Sequence, residues 1–353
     1  DDSSIAHSKG KLTKVTSSVS ETQYSGFDLV GRLTESKQVT DGTTYTSGYQ
    51  YNLSGALTQE TYPSGRVVTN DFDANGDISR IQGKATSASA VHNYATNFTY
   101  FADGKIATLR LGNGLYEGAS LNSRLQVAEL RLGIVTGGSS LLKLKYEYGE
   151  LQSDGSTVDA TKNAGNIAKQ TVTFDGLANP FVQTYKYDPL DRITEAKETV
   201  SGSQTWIQNW GYDQYGNRTA FTQNILGSTG VSLPSIDAGS NRYAASQGYA
   251  FDKNGNVTTD PESGGRSFTF NGDNKQTQVK DSNNYTIGSY SYDGNAKRVK
   301  KVTDLETTVF VYDGFDKLVA EYSTATPPSN PTINYTATDQ LGSPRVLTDA
   351  FGS

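Results

Sequence analysis

Short runs of alternating apolar and polar residues recur along the chain, and most of them end in a compact polar corner. The clearest run, Leu141–Tyr148, places leucines and tyrosines on one side and lysines and a glutamate on the other. A period of two residues is typical of an antiparallel β-strand with one buried face. The pattern therefore predicts an all-β chain built from short strands.

The corner Tyr212–Thr219, with the sequence YDQYGNRT, indicates how these strands are joined. Tyr212 and Thr219 have side chains that suit the ends of strands. Asp213 can accept a hydrogen bond from the backbone two residues on, and Gly216 can adopt the positive φ that closes a tight turn. The segment therefore predicts one β-hairpin.

Related corners recur at a pitch of about 20 residues, which indicates an array of hairpins. They are Phe27–Thr34, Tyr51–Thr58, Tyr62–Val68, Phe72–Ser79, Phe101–Ala107, Tyr187–Thr194, Phe251–Thr258, Tyr292–Val299 and Tyr312–Leu318. Phe270–Gln276 has Asn271 where aspartate is usual and Lys275 where arginine is usual, so we expect an irregular corner there.

The stretch Leu109–Gln170 is less regular. Its β-branched residues favour strands over a short helix near Leu121–Leu132. Three polar or proline-rich segments are expected to be loops: Gly149–Gly165, Asn224–Ser240 and Thr326–Pro331.

Composition supports an all-β interpretation. The 353 residues include 36 Gly, 22 Tyr and 13 Phe, with 34% hydrophobic residues and a mean hydropathy of −0.57. Such values suit thin sheets with partly wet faces, and the aromatic density argues against disorder. The absence of cysteine excludes disulfides, thiolate zinc sites and a cysteine nucleophile.

Charge narrows the classes of partner. The formal charge of −6 and the pI near 5.1 argue against nucleic acid, which needs a basic surface. The basic cluster Lys297, Arg298, Lys300 and Lys301 is interpreted as a solvated strand rather than an anion site. No apolar run has the length of a membrane span. Methionine is absent, even at position 1, so we expect a processed or excised piece of a longer chain.

The corners YDPLDRIT, YDQYGNRT, FDKNGNVT and YDGNAKRV resemble the tyrosine-aspartate (YD) repeats of RHS proteins. The final stretch, TDQLGSPRVLTDAFG, resembles the opening of the RHS-repeat-associated core. The resemblance implies a YD/RHS-repeat β-sheet shell over residues 1–334 and the start of the core over 335–353. In this family a continuous antiparallel sheet of hairpins spirals around a hollow interior, like a cocoon.

The family includes bacterial polymorphic toxins, the shell component of insecticidal toxin complexes and the adhesion proteins called teneurins. In the toxins the shell encloses a C-terminal effector, which the core releases by self-cleavage using aspartates. Since the chain stops at Ser353, where the core begins, that cleavage segment is expected to be absent. Asp188–Pro189 is not that segment, because it lies inside an ordinary repeat. The resemblance thus implies a non-enzymatic, secreted or cell-surface bacterial protein.

The repeat residues are expected to be structural, since an active site is one constellation whereas these residues recur with the fold. The expected turn residues are Asp28, Gly31, Asp73, Gly76, Asp188, Arg192, Asp213, Gly216, Arg218, Asp252, Gly255, Asp293, Arg298 and Asp313. Arg192, Arg218 and Arg298 are expected to pair with corner aspartates. In the core motif we single out Asp339, Gly342, Pro344 and Arg345, with Asp339 and Arg345 as a special structural pair.

No metal or cofactor is predicted. Asp73, Asn75 and Asp77 imitate the start of a calcium loop, as do Asp252, Asn254 and Asn256. An EF-hand-type loop needs a glutamate at its twelfth position. Those positions hold Lys84 and Ser263, so turn chemistry is the preferred interpretation. The two histidines, His7 and His92, lie in polar segments and are interpreted as surface residues.

Three functions remain open from the sequence. The first is a shell segment that encloses or presents an effector or further RHS segments of the same polypeptide. The second is an extracellular carbohydrate-binding or adhesion module, in which Trp206 and Trp210 stack on sugars; packing within the sheet is the preferred role of both tryptophans. The third is a fibre subunit that self-associates through unpaired sheet edges.

Overall fold

The structure is a computed structural model that describes residues 2–225, 233–327 and 332–353. Parts of the loops predicted at Asn224–Ser240 and Thr326–Pro331 lie outside the described residues. The described chain consists of antiparallel strands, with short 3-10 helices at Ala160–Lys162 and Ala245–Gln247. The prediction of an all-β fold built from repeated hairpins is confirmed.

The first half of the chain contains the strands β1 (Lys14–Thr16), β2 (Ser20–Phe27), β3 (Leu33–Thr40), β4 (Thr43–Tyr51), β5 (Leu57–Thr61), β6 (Val67–Phe72), β7 (Ile78–Lys84), β8 (His92–Tyr100), β9 (Ile106–Leu111), β10 (Tyr116–Leu121), β11 (Val127–Gly133), β12 (Leu142–Tyr148), β13 (Glu150–Leu151), β14 (Val158–Asp159) and β15 (Ile167–Phe174).

The second half contains β16 (Phe181–Tyr187), β17 (Ile193–Val200), β18 (Ser203–Tyr212), β19 (Arg218–Ile225), β20 (Ile236–Asp237), β21 (Arg242–Tyr243), β22 (Ala250–Phe251), β23 (Val257–Asp260), β24 (Arg266–Phe270), β25 (Gln276–Lys280), β26 (Thr286–Tyr292), β27 (Arg298–Val302), β28 (Thr307–Tyr312), β29 (Leu318–Ser323), β30 (Tyr335–Thr338) and β31 (Pro344–Thr348). No described helix is long and apolar enough to cross a membrane.

The chain divides into two compact units. The first unit comprises Asp1–Asp77, Ile81–His92 and Asp237–Pro331. Within it, β1 to β6 pair in sequence order, each antiparallel to the next. A second run, from β22 to β29, forms an eight-stranded antiparallel meander.

The core of the first unit is unusually polar. The buried side chains of β2 to β4 are mostly Ser, Thr and Gln, whereas β28 contributes Val309, Phe310 and Val311. Gln38 joins the two runs, because its Nε2 donates to the Phe310 carbonyl at 2.9 Å and its Oε1 accepts from the Tyr312 amide at 3.1 Å. A buried amide that both donates and accepts offsets its own desolvation.

The second unit comprises Ile78–Arg80, Asn93–Ile236 and Thr332–Ser353. Strands β8 to β12 pair in sequence order, and β12 continues through β15 to β19. The C-terminal hairpin pairs β30 with β31. Its Ala337 and Val346 pack against the apolar face of the sheet.

The alternating strand is confirmed at β12. Its Leu142, Leu144, Tyr146 and Tyr148 are all buried and centre the hydrophobic cluster of the second unit. Strands β10 and β11 flank Asn122, so the preference for strands over a helix near Leu121–Leu132 is also confirmed.

The predicted loop Gly149–Gly165 contains the short pair β13–β14 and the first 3-10 helix. Asp159 caps that helix by accepting a hydrogen bond from the Thr161 amide at 3.0 Å. This local carboxylate contact orders a polar segment that hydrophobic periodicity does not reveal.

Candidate functional site: the repeated corners

Most corners are tight turns held by one side-chain oxygen. In the corner at Asp213, Oδ1 accepts from the amides of Tyr215 at 2.8 Å and Asn217 at 2.9 Å. The Gly216 amide donates to the Asp213 carbonyl at 3.2 Å, and the Asp213 amide donates to the Asn217 carbonyl at 3.0 Å. Gly216 has φ +86°, and the strand register shifts at Tyr212. This is a turn closed by a left-handed residue and a β-bulge.

The same arrangement recurs along the chain. The side-chain oxygen accepts from the amides two and four residues on at Asp28, Asp73, Asp188, Asp252, Asp293, Asp313 and Asp339. The residue three positions after the aspartate has a positive φ, as in Gly31, Gly76, Gly255 and Gly342, and also in Asp191, Ala296 and Asp316. The left-handed conformation at this position thus recurs in these corners whether or not the residue is a glycine.

The corner at Asn271 is regular, so the expectation of irregularity is wrong. Asn271 Oδ1 accepts from the amides of Asp273 at 3.0 Å and Lys275 at 2.9 Å. Asn274 supplies the left-handed residue with φ +58°. An amide oxygen accepts these backbone bonds as a carboxylate does, and asparagine tolerates the left-handed region.

The repeat tyrosine connects one corner to the next. The hydroxyl of Tyr212 donates to the carbonyl of Ile193 at 2.7 Å, across β17 and β18. The acceptor lies five residues after the aspartate of the preceding corner. The same bond is made by Tyr51 to Leu33, Tyr100 to Ile78, Tyr148 to Val127, Tyr292 to Gln276 and Tyr312 to Arg298. The tyrosines form a ladder, which explains why a phenol rather than a plain ring is frequent at this position.

Arg192 closes two neighbouring corners. Its Nε donates to Asp188 Oδ2 at 2.7 Å, and its Nη1 donates to the Asp213 carbonyl at 3.1 Å. Its guanidinium lies 4.7 Å from the centre of the Tyr212 ring. Arg32 repeats the arrangement with Asp28, the Asn52 carbonyl and the Tyr51 ring, although sequence reasoning did not single it out.

The predicted aspartate partners Arg218 and Arg298 are wrong. The ion pair belongs to the residue four positions after the aspartate, and each of these arginines is five positions on. Asn217 takes that place beside Asp213, with Nδ2 to Oδ2 at 2.8 Å. Arg298 instead packs over the Phe310 ring at 4.9 Å. Among the described residues Arg218 makes no ion pair and is exposed.

Corner geometry sets the charge of the aspartates. Desolvation acts to raise the pKa of Asp188, but hydrogen bonds from Arg192 and Leu190 and the charge of Arg192 outweigh it, so this pKa lies below its usual value. The hydrogen bond from Asn217 lowers the pKa of Asp213 in the same direction. These carboxylates are therefore fixed acceptors at neutral pH, which is the reverse of what a general acid requires.

The core motif contains a corner ion pair whose aspartate is buried. Asp339 is only 8% exposed; its Oδ1 accepts from the amides of Leu341 and Ser343, and its Oδ2 accepts from Arg345 Nη2 at 2.8 Å and Nε at 3.0 Å. Gly342 has φ +82°, and Pro344 begins β31. Desolvation opposes ionisation, yet the hydrogen bonds and Arg345 hold the pKa of Asp339 below its usual value.

Two further glycines matter that the sequence reasoning did not single out. A Cβ on Gly314 would overlap Leu33, and the Gly314 amide donates to the buried Tyr49 hydroxyl at 2.6 Å. A Cβ on Gly294 would overlap Val15. Both follow an aspartate as YDG, at corners where the left-handed position holds a different residue. At these two corners the glycine directly after the aspartate thus gives room to a packed strand.

The other sequence candidates take structural positions. The Oδ1 of Asp73 and of Asp252 accepts backbone amides, and the described residues contain no cluster of metal-ligating side chains. In the basic cluster, Lys297 pairs with Asp316 at 2.9 Å, Lys300 with Asp41 at 2.6 Å and Lys301 with Glu306 at 3.9 Å. These contacts pair the three lysines with carboxylates of the same chain, which weighs against an anion site; that the strand is solvated stays a prediction.

Trp206 and Trp210 lie on one face of β18, and both are half-buried. The Trp210 ring packs on Phe221 of β19, with centroids 5.9 Å apart. Trp206 lies opposite Glu198 of β17. Packing within the sheet thus covers one side of the Trp210 ring.

Comparisons with known proteins agree with the fold. No protein-family model matches the chain. The chain is 28% identical over 273 residues to the tRNA nuclease WapA of Bacillus subtilis, and 28% identical over 258 residues to the tRNA3(Ser)-specific nuclease WapA of Bacillus spizizenii. These matches cover 77% and 72% of the chain but 10% of each relative. The chain thus matches about a tenth of the length of each of these curated relatives.

Solved structures match nearly the whole chain. The Photorhabdus luminescens Tc holotoxin pore has a TM-score of 0.78 at 16% identity, covering 97% of this chain and 20% of that one. The TcdB2–TccC3 crystal structure has a TM-score of 0.77 at 16% identity, with the same coverage. The chain therefore shares the fold of these two structures, as the resemblance to RHS/YD-repeat proteins implied.

Proposed function

We propose that the chain is a non-enzymatic wall segment of a secreted bacterial RHS-repeat protein, which encloses or presents an effector carried on the same polypeptide. One observation carries the proposal: 97% of the chain superposes on a toxin-complex shell with a TM-score of 0.78. Residues 1–334 then form the repeat wall, and 335–353 begin the core that closes it.

The corners support this role physically. Each aspartate is committed to backbone amides, and each ladder tyrosine donates to a neighbouring strand. Such groups stabilise a thin sheet whose hydrophobic content is low, and they leave few side chains free for chemistry. The two Bacillus relatives are named as nucleases, but the match covers only 10% of each, so their nuclease activity is not part of the function proposed for this segment.

The gene product provides the test. The reading frame beyond Ser353 is expected to continue through the rest of the core into a variable effector domain. In the purified full-length product, that C-terminal domain should resist protease until the repeat region itself is cut. A stop codon or a wall anchor directly after the core motif, or an effector digested as fast as the same domain alone, would contradict the proposal.

A second candidate is glycan binding on the face of β18. Trp206 and Trp210 share that face four residues apart, with Gln208 between them as a hydrogen-bonding group. Glycan-array binding that is lost in both Trp206→Ala and Trp210→Ala, but kept in Tyr215→Ala, would support it.

Self-association through sheet edges is a third proposal, and it predicts that the mass measured by light scattering rises with protein concentration.

A further inference from the structure

A cavity of about 260 Å³ lies within the second unit, between the sheet formed by β9 to β12 and strand β30. Its walls are formed mostly by apolar side chains of leucine and alanine. They include Leu109, Ala107, Ala119, Leu132, Leu142 and Ala337. Leu132 and Leu142 are almost fully buried, at 1% and 2% exposure, so this wall belongs to the core.

Glu117 projects onto this apolar face. It lies opposite Leu109 of β9 and Leu132 of β11 in the strand register, and it lines the cavity. Among the described residues its carboxylate makes no hydrogen bond and no ion pair. Glu117 is half-buried, and a charge that is partly withdrawn from water without a partner carries a desolvation cost.

The other charged groups in the wall do not serve Glu117. Asp339 is held by Arg345. Arg131 lies opposite Gly118 and Lys143, so its side chain is on the other face of the sheet, where it approaches Glu129 at 3.8 Å. The cavity therefore has one uncompensated negative group. Desolvation alone raises the pKa of Glu117, with no opposing contact.

We propose that this cavity binds an alkylammonium group, whose charge pairs with Glu117 and whose alkyl stem packs on the leucine and alanine walls. The volume is slightly below the roughly 300–1,000 Å³ typical of sites for drug-sized ligands, so a short stem fits it best. A divalent metal is disfavoured, because such ions require several oxygen ligands and the cavity offers one free carboxylate. The site is independent of what the wall encloses.

Calorimetric titration of the whole chain with n-butylammonium tests the proposal. Binding is expected to be saturable, to tighten as pH rises from 5 to 8 and to release protons, because the cation selects the ionised form of Glu117. Glu117→Gln should weaken binding by about tenfold or more, since hydrogen bonds to charged groups are among the strongest. Glu147→Gln, which removes a carboxylate already paired with Lys145 and Lys169 on the other face, should leave binding unchanged.

Two additional arms keep the result interpretable. Ala107→Leu fills the cavity without touching the carboxylate and should also abolish binding. Thermal unfolding should show Glu117→Gln to be as stable as the wild type or more so, because it removes a desolvated charge. Equal binding by wild type and Glu117→Gln, equal binding of neutral n-butanol, or no saturable heat at any of these pH values would overturn the proposal.

The alkylammonium group could belong to a lysine side chain or to a free amine, and two probes distinguish these ligands. Tighter binding of Nα-acetyl-lysine amide, which keeps its side-chain ammonium group, than of n-butylammonium would identify a lysine side chain of a polypeptide as the ligand. The reverse order would identify a free amine. Either order, combined with loss in Glu117→Gln, supports the site.

Discussion

Replacing Tyr212 with phenylalanine tests the tyrosine ladder directly. The substitution removes one hydroxyl, which donates to the Ile193 carbonyl at 2.7 Å, and leaves the ring beneath Arg192. A typical intramolecular hydrogen bond contributes about 0.5–1.5 kcal/mol, and the carbonyl left in a half-buried position adds to the loss. We therefore expect the free energy of unfolding of this hairpin to fall by about 1–2 kcal/mol.

The chain contains its own reporter and its own control for this experiment. Its two tryptophans, Trp206 and Trp210, both lie on β18, the strand that ends at Tyr212, so tryptophan fluorescence in urea follows this hairpin. Tyr215 sits at the tip of the same corner, 69% exposed, and its hydroxyl has no hydrogen-bond partner among the described residues. Tyr215→Phe should leave the urea midpoint unchanged. A Tyr212→Phe midpoint equal to that of both the wild type and Tyr215→Phe would refute the ladder.

Three further predictions concern single corners. Gly216→Val should destabilise its hairpin by about 1–3 kcal/mol, because a β-branched residue cannot adopt φ +86° without strain; the matched change Ala296→Gly, at the equivalent position of another corner, should be neutral or stabilising, and an unchanged urea midpoint for Gly216→Val would contradict this. Gly314→Ala should cost about 1–3 kcal/mol through overlap with Leu33, whereas Gly272→Ala, with open space around it, should not; equal thermal midpoints for the two variants would contradict the packing. Asp188→Asn should lower the free energy of unfolding at pH 7. Because the pKa of Asp188 is lowered in the folded state, its ionised form contributes stability at neutral pH and loses that contribution as pH falls through the lowered pKa, so the difference from wild type should shrink. A difference in stability that is independent of pH between 7 and 3 would contradict the ion pair.

Local chemistry made much of the fold predictable. Strand alternation at Leu142–Tyr148 and the turn residues of YDQYGNRT act within a few residues of one another, and both can be recognised in the sequence. The partner of each corner aspartate was harder to predict. Arg192 and Arg218 look equivalent in their repeats, but a difference of one position places one beside the carboxylate and the other on the exposed surface.

Long-range packing could not be predicted from the sequence. Gly314 is required because Leu33 and Tyr49, far away in the chain, lie against it. In the sequence Glu117 looks like an ordinary strand residue, and only the approach of β30 places it in the wall of an apolar cavity. The corner at Asn271 is regular for a different reason. Asparagine departs from the residue type of the repeat, but its side-chain oxygen accepts the same two backbone hydrogen bonds.

Small-angle X-ray scattering of the purified chain tests the central claim, that these corners build the wall of a shell. A compact globule of this length has a radius of gyration of about 20 Å. A wall around open space must exceed that value clearly, with its pair distances shifted to long separations and a forward scattering that matches one chain. A monomer at about 20 Å with the distance distribution of a solid globule would contradict the account.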